Sequence, residues 1–299
     1  MAAGDESDLN FLLSQAQTAR LDNRLEKAST LLEKASQLDP DSISVLMERA
    51  LLHQQCTQWS ESRRCLQSIL LAKPENSQVL NAIGHTWQAE GNFNEALNFW
   101  EKAVAIQPEY ADVWQNIGLA HEHLDNLPEA ISAHQRVVEL EPANARARRL
   151  LGMAQLDYGL LPAAEKCFDH ALELDPEDPE NRWQRFFIRA LAGDFSSTWG
   201  DYECRFDLPG RTTPDHGFPQ PRWQGELLPD KTLLLHAEQG YGDTIQMVRY
   251  IEKISEHVGK IILWVPLPLA SLMELIDQID EVITHKPNAD TFDIQLPLM

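Results

Sequence analysis

A run of nine residues in the C-terminal third combines groups suited to acid–base chemistry: His236-Ala237-Glu238-Gln239-Gly240-Tyr241-Gly242-Asp243-Thr244. Carboxylates and imidazoles are side-chain groups that transfer protons in catalysis, which makes Asp243 and His236 the candidates in this run. The two glycines let a ligand approach the backbone, and a helix N-terminus attracts anions. The run is not the dinucleotide-binding fingerprint, because Ile245 stands at the place of the last glycine.

Two structural alternatives stay open for the same residues. Asp243 has the place and type of a helix-capping residue after a tight turn. His236 stands at the end of a strand, where a buried core histidine is equally expected. The pattern therefore defines candidates and does not decide between chemistry and structure.

The elements that would position this run are read from the apolar pattern. Residues 232–237 predict a buried strand, and residues 243–257 predict a helix with one apolar face. Further strands are predicted at 260–265, 281–284 and 292–296, with a second helix at 269–278. Strands that alternate with helices indicate a parallel α/β sheet. In such sheets ligands bind at the carboxyl ends of the strands, which is where the run lies.

A proline-rich stretch precedes this partial α/β region, which we assign to residues 231–299. Five prolines lie between 209 and 229, so residues 208–230 are predicted as an irregular connector and domain boundary. Residues 179–207 are predicted as a degenerate helix pair, rich in aromatic residues, that caps the region before it.

The N-terminal part is organised by a step of 34 residues. Prolines recur at 40, 74, 108, 142 and 176. Small residues recur in two series, Ala16, Ala50, Gly84, Gly118 and Gly152, and Ala28, Ser62, Ala96, Ala130 and Ala164. A fixed period of this length is the signature of stacked repeats.

This skeleton resembles that of tetratricopeptide repeat proteins, with five units over residues 9–178. The resemblance implies an α-α superhelical solenoid of antiparallel helix pairs, so the chain is expected to be mainly α. Residues 1–8 are predicted as a disordered lead.

The first helices of such units line a concave face. The helical period places a polar, amide-rich set of residues on it, with a basic spot at its end: Asn81, His85, Gln88, Gln115, Asn116, His123, Arg146 and Arg149. Amides offer both a donor and an acceptor to an extended peptide. We predict a protein or peptide partner in this groove; a merely solvated face is the alternative.

Bulk composition narrows the class of protein. A formal net charge of -21 argues against a nucleic-acid or anionic-membrane binder. The four cysteines form no zinc pattern, and no metal or cofactor is predicted. The N-terminus is not a signal peptide, and no stretch has the length of a membrane span. A cytoplasmic protein is expected.

From Gly193 onward the chain resembles bacterial proteins that join such repeats to a glycosyltransferase-like domain of the two-lobed GT-B kind. The motifs are Gly193-Asp194-Phe195, WGDYECR from Trp199, Trp223-Gln224-Gly225-Glu226 and LLLHAEQGYGDTIQ from Leu233. The Gly242-Asp243 pair is similar to that of heptosyltransferase-type enzymes, and O-GlcNAc transferases also carry such repeats. The resemblance implies a Rossmann-like N-lobe with Asp243 as general base, and an acceptor pocket shaped by Glu238, Gln239, Gly240 and Gly242.

Three functions follow from these patterns. The first is a protein-interaction scaffold joined to the acceptor-side lobe alone, which binds partners without transferring sugar. The second is a fragment of a complete glycosyltransferase, favoured by a chain end inside the sheet that would leave an unpaired edge. The third is a clamp for acidic tails, for which only Arg146, Arg148 and Arg149 offer charge. Whether the chain is an enzyme stays open, and exposed aromatic residues with the open edge make self-association a further expectation.

Overall fold

The structure, a computed structural model, describes residues 3–210 and 216–298, and it omits the side chains of residues 3–5. The chain divides into two compact units, Met1–Tyr202 and Glu203–Met299. Each unit is described separately below.

The first unit consists of helices in antiparallel pairs. They are α1 (Ala3–Leu21), α2 (Leu25–Leu38), α3 (Ile43–Gln55), α4 (Trp59–Ala72), α5 (Ser77–Ala89), α6 (Phe93–Ile106), α7 (Ala111–His123), α8 (Leu127–Leu140), α9 (Ala145–Asp157), α10 (Leu161–Leu174), α11 (Pro179–Leu191) and the short α12 (Trp199–Tyr202). The helices α3, α5, α7, α9 and α11 begin at 43, 77, 111, 145 and 179, in steps of 34. The predicted solenoid of helix pairs is therefore confirmed.

Small residues allow the helices of a pair to approach closely. Ala28, Ser62, Ala96, Ala130 and Ala164 are all fully buried. A Cβ atom added at Gly84 would collide with the indole of Trp100, and one added at Gly118 would collide with the imidazole of His134. The large side chain of each second helix thus fills the space that the missing side chain of the first helix leaves.

The turn inside each pair repeats one backbone conformation. A positive φ occurs at Asn23, Thr57, Gly91, Asp125, Gly159 and Gly193, again in steps of 34. Only glycine adopts this left-handed conformation without steric cost. Thr57 has a φ of 57°. It is the most strained of the six residues, because its Cβ atom is branched.

The N-terminal segment differs from the prediction of a disordered lead over residues 1–8, since α1 already begins at Ala3. Leu9 is buried beside Ala35 and Val45, which anchors the first turns of this helix. The acidic side chains of Glu6 and Asp8 also favour a helix near its N-terminus.

The predicted helix pair over 179–207 forms only in part. The helix α11 is complete, but a single turn, α12, stands where a second helix was expected. The side chain of Asp194 accepts hydrogen bonds from the hydroxyl of Ser196 at 3.1 Å and the backbone N–H of Ser197 at 3.3 Å. Such local hydrogen bonds compete with helix formation, which explains the shorter element.

The second unit contains a four-stranded parallel sheet. Its strands are β1 (Leu228–Ala237), β2 (Val258–Trp264), β3 (Glu281–Ile283) and β4 (Ile294–Leu298), in the order β3-β2-β1-β4. Leu235 of β1 lies between Leu263 of β2 and Leu296 of β4. The predicted parallel sheet is confirmed, with the continuous apolar run of β1 buried in its centre.

Short helices connect these strands. The first connection comprises α13 (Tyr241–Met247), a 3₁₀ turn (Val248–Tyr250) and α14 (Ile251–Ser255), close to the predicted helix at 243–257. The second is shorter than the predicted 269–278, because α15 (Ala270–Met273) forms a single turn. Ile276 and Ile279 both pack on the core, and their three-residue spacing suits tighter turns.

The proline-rich stretch over 208–230, predicted as a connector and domain boundary, lies after the division between the two units. The division between the units falls at Tyr202, and residues 216–228 belong to the second unit. The backbone N–H of Trp223 donates to the carbonyl of Gln295 at 2.8 Å, and Gln295 N–H donates to Pro221 at 3.1 Å. The edge of β4 that was expected to be unpaired is therefore partly covered. Residues 211–215 of this stretch lie outside the described residues.

Candidate functional site

Four of the predicted groove residues form one polar network on α5 and α7. The amide nitrogen of Asn116 lies 3.4 Å from the side-chain oxygen of Asn81 and 3.4 Å from Nε2 of His85. The other ring nitrogen of His85 lies 3.4 Å from the side-chain oxygen of Gln88. The sequence prediction thus identified side chains that the structure brings together across two repeats.

A buried aromatic residue holds this network in place. The indole N–H of Trp100 on α6 donates to the backbone carbonyl of Asn81 at 3.2 Å, and its ring meets the imidazole of His85 edge-on at 5.6 Å. The amide of Asn81 also reaches the hydroxyl of Tyr110, at 3.5 Å. A rigid core residue therefore positions the polar groups that face the groove.

The remaining groove residues do not join this network. Gln115 is half-buried on α7. His123 stacks on Phe93, the first residue of α6, with ring centroids 4.5 Å apart. Neighbouring Glu122 accepts a hydrogen bond from Nε2 of the buried His134 ring at 3.0 Å.

The predicted basic spot is largely neutralised. Arg149 forms ion pairs with Asp178, at 3.4 Å, and with Glu180. Asp178 also caps α11, accepting from the backbone N–H of Glu180 at 2.8 Å. The guanidinium of Arg149 therefore connects two repeats. Arg146, the other predicted arginine, is exposed to solvent.

A second stretch of groove, which the prediction missed, lies on α1, α3 and α5. It encloses about 500 Å³ and is lined by Asn10, Leu13, Ser14, Gln17, Ile43, Ser44, Met47, Glu48, Asn76 and Gln78. Asn10, Ser44 and Gln78 are spaced by 34, and so are Leu13, Met47 and Asn81. Applying the same register to the first two units would have found them.

The predicted site in the second unit is divided between surface and interior. Gln239, Gly240, Gly242 and Asp243 are exposed at the carboxyl end of β1. The carboxylate of Asp243 accepts a hydrogen bond from the backbone N–H of Gly240 at 3.2 Å, which is the capping arrangement. A Cβ atom at Gly242 would meet nothing within 4 Å, so the turn is open to a ligand.

Glu238 points into the interior. Its carboxylate accepts two hydrogen bonds from Arg205, at 2.8 and 2.9 Å, and both side chains are buried. Arg205 also donates to Glu203 at 2.9 Å. A carboxylate held in this way is not available to shape an acceptor pocket, so this predicted role is not supported by the geometry.

His236 is a buried side chain, as the structural alternative expects. Its Nε2 lies 3.0 Å from the side-chain oxygen of Gln295, and its ring lies among those of His216, Phe218 and Trp264. Burial, aided by the nearby His216 and Arg222, lowers the pKa of His236 to about 4, against the effect of Gln295. The imidazole is therefore neutral at physiological pH.

The described residues contain no group of three or more His, Cys, Asp or Glu side chains placed to hold a metal ion. Within the same part of the chain, each helix is too short or too polar to cross a lipid bilayer.

Comparison with known proteins identifies the repeats. A tetratricopeptide repeat family model matches residues 124–184, and a second, described as TPR repeat, matches residues 84–125. The chain therefore contains tetratricopeptide repeats. No curated protein matches it by sequence.

The chain is similar in fold to several solved structures. PilF of Pseudomonas aeruginosa is 16% identical, with a TM-score of 0.56 over 69% of this chain and 95% of its own. A tetratricopeptide repeat protein of Parabacteroides merdae is 18% identical, with a TM-score of 0.57 over 68% and 81%. YrrB, a TPR protein with an unusual peptide-binding site, is 19% identical, with a TM-score of 0.51 over 59% and 91%. At these identities the likeness concerns the fold alone.

Proposed function

We propose that this tetratricopeptide repeat protein is an interaction scaffold that binds an extended segment of a partner protein in its concave groove. The observation that carries the proposal is the network of Asn81, His85 and Asn116 across two repeats. Side-chain amides in a half-buried position can bond to the backbone of a peptide whatever its side chains are. An extended chain offers such groups at every residue.

The groove also suggests what kind of segment it accepts. Toward α11 the register of His85 continues through Leu119, Met153 and Phe187, and the last two are exposed. Apolar side chains beside amides favour a segment that combines a free backbone with apolar residues. A clamp for acidic tails is disfavoured, because Arg149 already pairs with two carboxylates and the chain carries a net charge of -21.

A peptide library tests the proposal. Random dodecapeptides would be panned on the immobilised chain, and the most enriched one would be labelled and titrated by fluorescence anisotropy. We expect Asn81→Ala combined with Asn116→Ala to weaken binding at least about fivefold, since each lost hydrogen bond costs about 0.5–1.5 kcal/mol.

Asn98→Ala is the matched control, because Asn98 is exposed on α6, the second helix of the same repeat. It should leave the affinity unchanged. Equal affinities for the groove double variant, the control and the wild type would remove the proposal.

A second candidate function, the acceptor-side lobe of a glycosyltransferase-like domain, is favoured by one observation. In the sheet order β3-β2-β1-β4, the chain adds β2 and β3 on one side of β1 and then adds β4 on its other side, so the strand order reverses between β1 and β4. Ligands of open α/β sheets bind at such a point, and the open turn with Gly240, Gly242 and Asp243 follows β1 there. Asp243 would then be the proton acceptor for a sugar hydroxyl, while Glu238 and His236 would serve the fold.

Titration with glucose, galactose and N-acetylglucosamine, followed by backbone amide NMR, tests this candidate. If this candidate function is correct, chemical-shift changes should be confined to residues 239–244. Asp243→Asn should abolish these changes, whereas the control Asp290→Asn, at another exposed aspartate, should leave them unaltered. Shifts that are absent, or that Asp290→Asn alters equally, would exclude it.

A further inference from the structure

An uncovered apolar patch lies at the N-terminal end of the solenoid. We call it the end face: a depression of about 320 Å³ on α1 and α2, lined by Asp8, Phe11, Leu12, Lys34, Gln37 and Leu38. Phe11 is 62% exposed and Leu38 is 39% exposed. Large apolar side chains grouped on an exposed surface are typical of interaction sites.

The repeat register shows what the end face lacks. In steps of 34, Phe11 corresponds to Val45, Val79, Val113, Ala147 and Asn181. Those five residues are no more than 1% exposed. The position of Phe11 is therefore one that every later unit buries completely, and the first unit fills it with a larger apolar side chain.

In the later units a preceding helix covers this position. Val45 packs in one cluster with Ala35 of α2, and Val79 packs in one cluster with Ile69 of α4. The second helix of each unit thus covers the first helix of the next. The end face is therefore the surface that corresponds, in later units, to one covered by another helix.

We propose that a second copy of this chain occupies the end face, in a two-fold contact of end face with end face. A two-fold interface joins the same patch to itself, so the patch must be self-complementary. Asp8 and Lys34 are both exposed on it, and in a two-fold arrangement the Asp8 of one copy can face the Lys34 of the other. Their opposite charges also allow two chains of net charge -21 to approach at this point without local repulsion.

This inference is independent of the peptide groove, and its test has a separate readout. Sedimentation velocity of the full chain, from micromolar to millimolar concentration, should show a monomer of 34.0 kDa passing into a dimer of twice that mass. Phe11→Glu should weaken dimerisation at least about tenfold, as expected for a buried aromatic side chain at an interface. Leu71→Glu is the matched control, because Leu71 is 87% exposed on α4 and lies off the end face.

A charge exchange distinguishes a second copy from any other occupant. Asp8→Lys and Lys34→Asp should each weaken the dimer, because each places like charges opposite one another. The double variant should restore it, because in a contact between two copies both members of each ion pair are then reversed together. Circular dichroism and the melting temperature of each variant would show that the fold is kept. A wild type that stays monomeric, a dimer that Phe11→Glu leaves intact, or a double exchange that does not restore the dimer would each overturn the proposal.

Discussion

The guanidinium of Arg205 and the carboxylate of Glu238 form two parallel hydrogen bonds, from Nε to Oε1 at 2.8 Å and from Nη2 to Oε2 at 2.9 Å. Their side chains are 4% and 1% exposed. The pair joins the segment that opens the second unit to the residue that follows β1. It therefore fixes the backbone on which the open turn is built.

Breaking this pair should destabilise the second unit. Glu238→Gln removes the buried carboxylate that faces the Arg205 guanidinium, so that Arg205 keeps only the more exposed carboxylate of Glu203. Losing one member of a buried ion pair costs up to about 3–5 kcal/mol. The cost can be measured as lost protection of the amides of Leu233 to Leu235 against hydrogen exchange. Glu281→Gln, which breaks the exposed pair with Lys260, is the control and should cost no more than about 1 kcal/mol. Equal losses in the two variants would show that the buried pair does not hold the sheet.

The turn between α3 and α4 is a place where the protein can be stabilised. Thr57 has a φ of 57°, and glycine stands at the equivalent places 91 and 159. We expect Thr57→Gly to raise the free energy of unfolding by about 1 kcal/mol, because it relieves the left-handed strain of a β-branched residue. Thr30→Gly, at an exposed helical position of α2, should lower it. Urea denaturation compares the two, and a loss of stability at Thr57 would refute the assignment of strain.

His134 occupies a core position that aromatic residues fill in neighbouring repeats. Trp100 and Phe168 stand 34 residues before and after it, and Nδ1 of the buried His134 ring has no hydrogen-bond partner among the described residues. His134→Phe removes the unsatisfied Nδ1, which costs about 1–3 kcal/mol, and also the hydrogen bond from Nε2 to Glu122, which contributes about 0.5–1.5 kcal/mol. We therefore expect a net gain in stability of up to about 1 kcal/mol. His134→Ala should lower stability by about 2–5 kcal/mol through the cavity it leaves. Melting temperatures that fall equally in both variants would contradict this account.

The stability of the second unit should fall in weak acid because of His236. Burial lowers its pKa to about 4 in the folded state, whereas an unfolded chain has a value of about 6.5. Between these values the unfolded state binds a proton that the folded state does not. Stability due to this group is therefore fully present above pH 6.5 and is lost as the pH falls toward 4, by at most about 1.4 kcal/mol per pH unit. Amide exchange in β1 from pH 7 to 4.5, compared with His236→Gln, measures it; identical slopes in the two proteins would rule it out.

The sequence was sufficient for the parts of the fold that depend on local pattern. The series of Gly84, Gly118 and Gly152 predicts where helices touch, because the helical period and the 34-residue step are both visible in the chain. The apolar run of β1 likewise predicts a strand buried on both faces.

The parts that could not be predicted depend on pairs far apart in sequence. Glu238 reads as a site residue until Arg205, 33 positions earlier, is placed beside it. The basic character of Arg149 disappears for the same reason, because Asp178 and Glu180 belong to the next repeat. The polar run at the end of β1 gives no local signal of which side chains turn inward.

The central claim, that a partner segment lies in the concave groove, is tested most directly by photo-cross-linking. The dodecapeptide enriched by panning would carry a benzophenone side chain, and mass spectrometry would locate the cross-links on the full chain. If the partner segment lies in the groove, we expect cross-links on the first helices of the units, α1, α3, α5 and α7, around Met47, Asn81 and Asn116. Cross-links confined to the second helices α4, α6 and α8, or to residues 203–299, would contradict it.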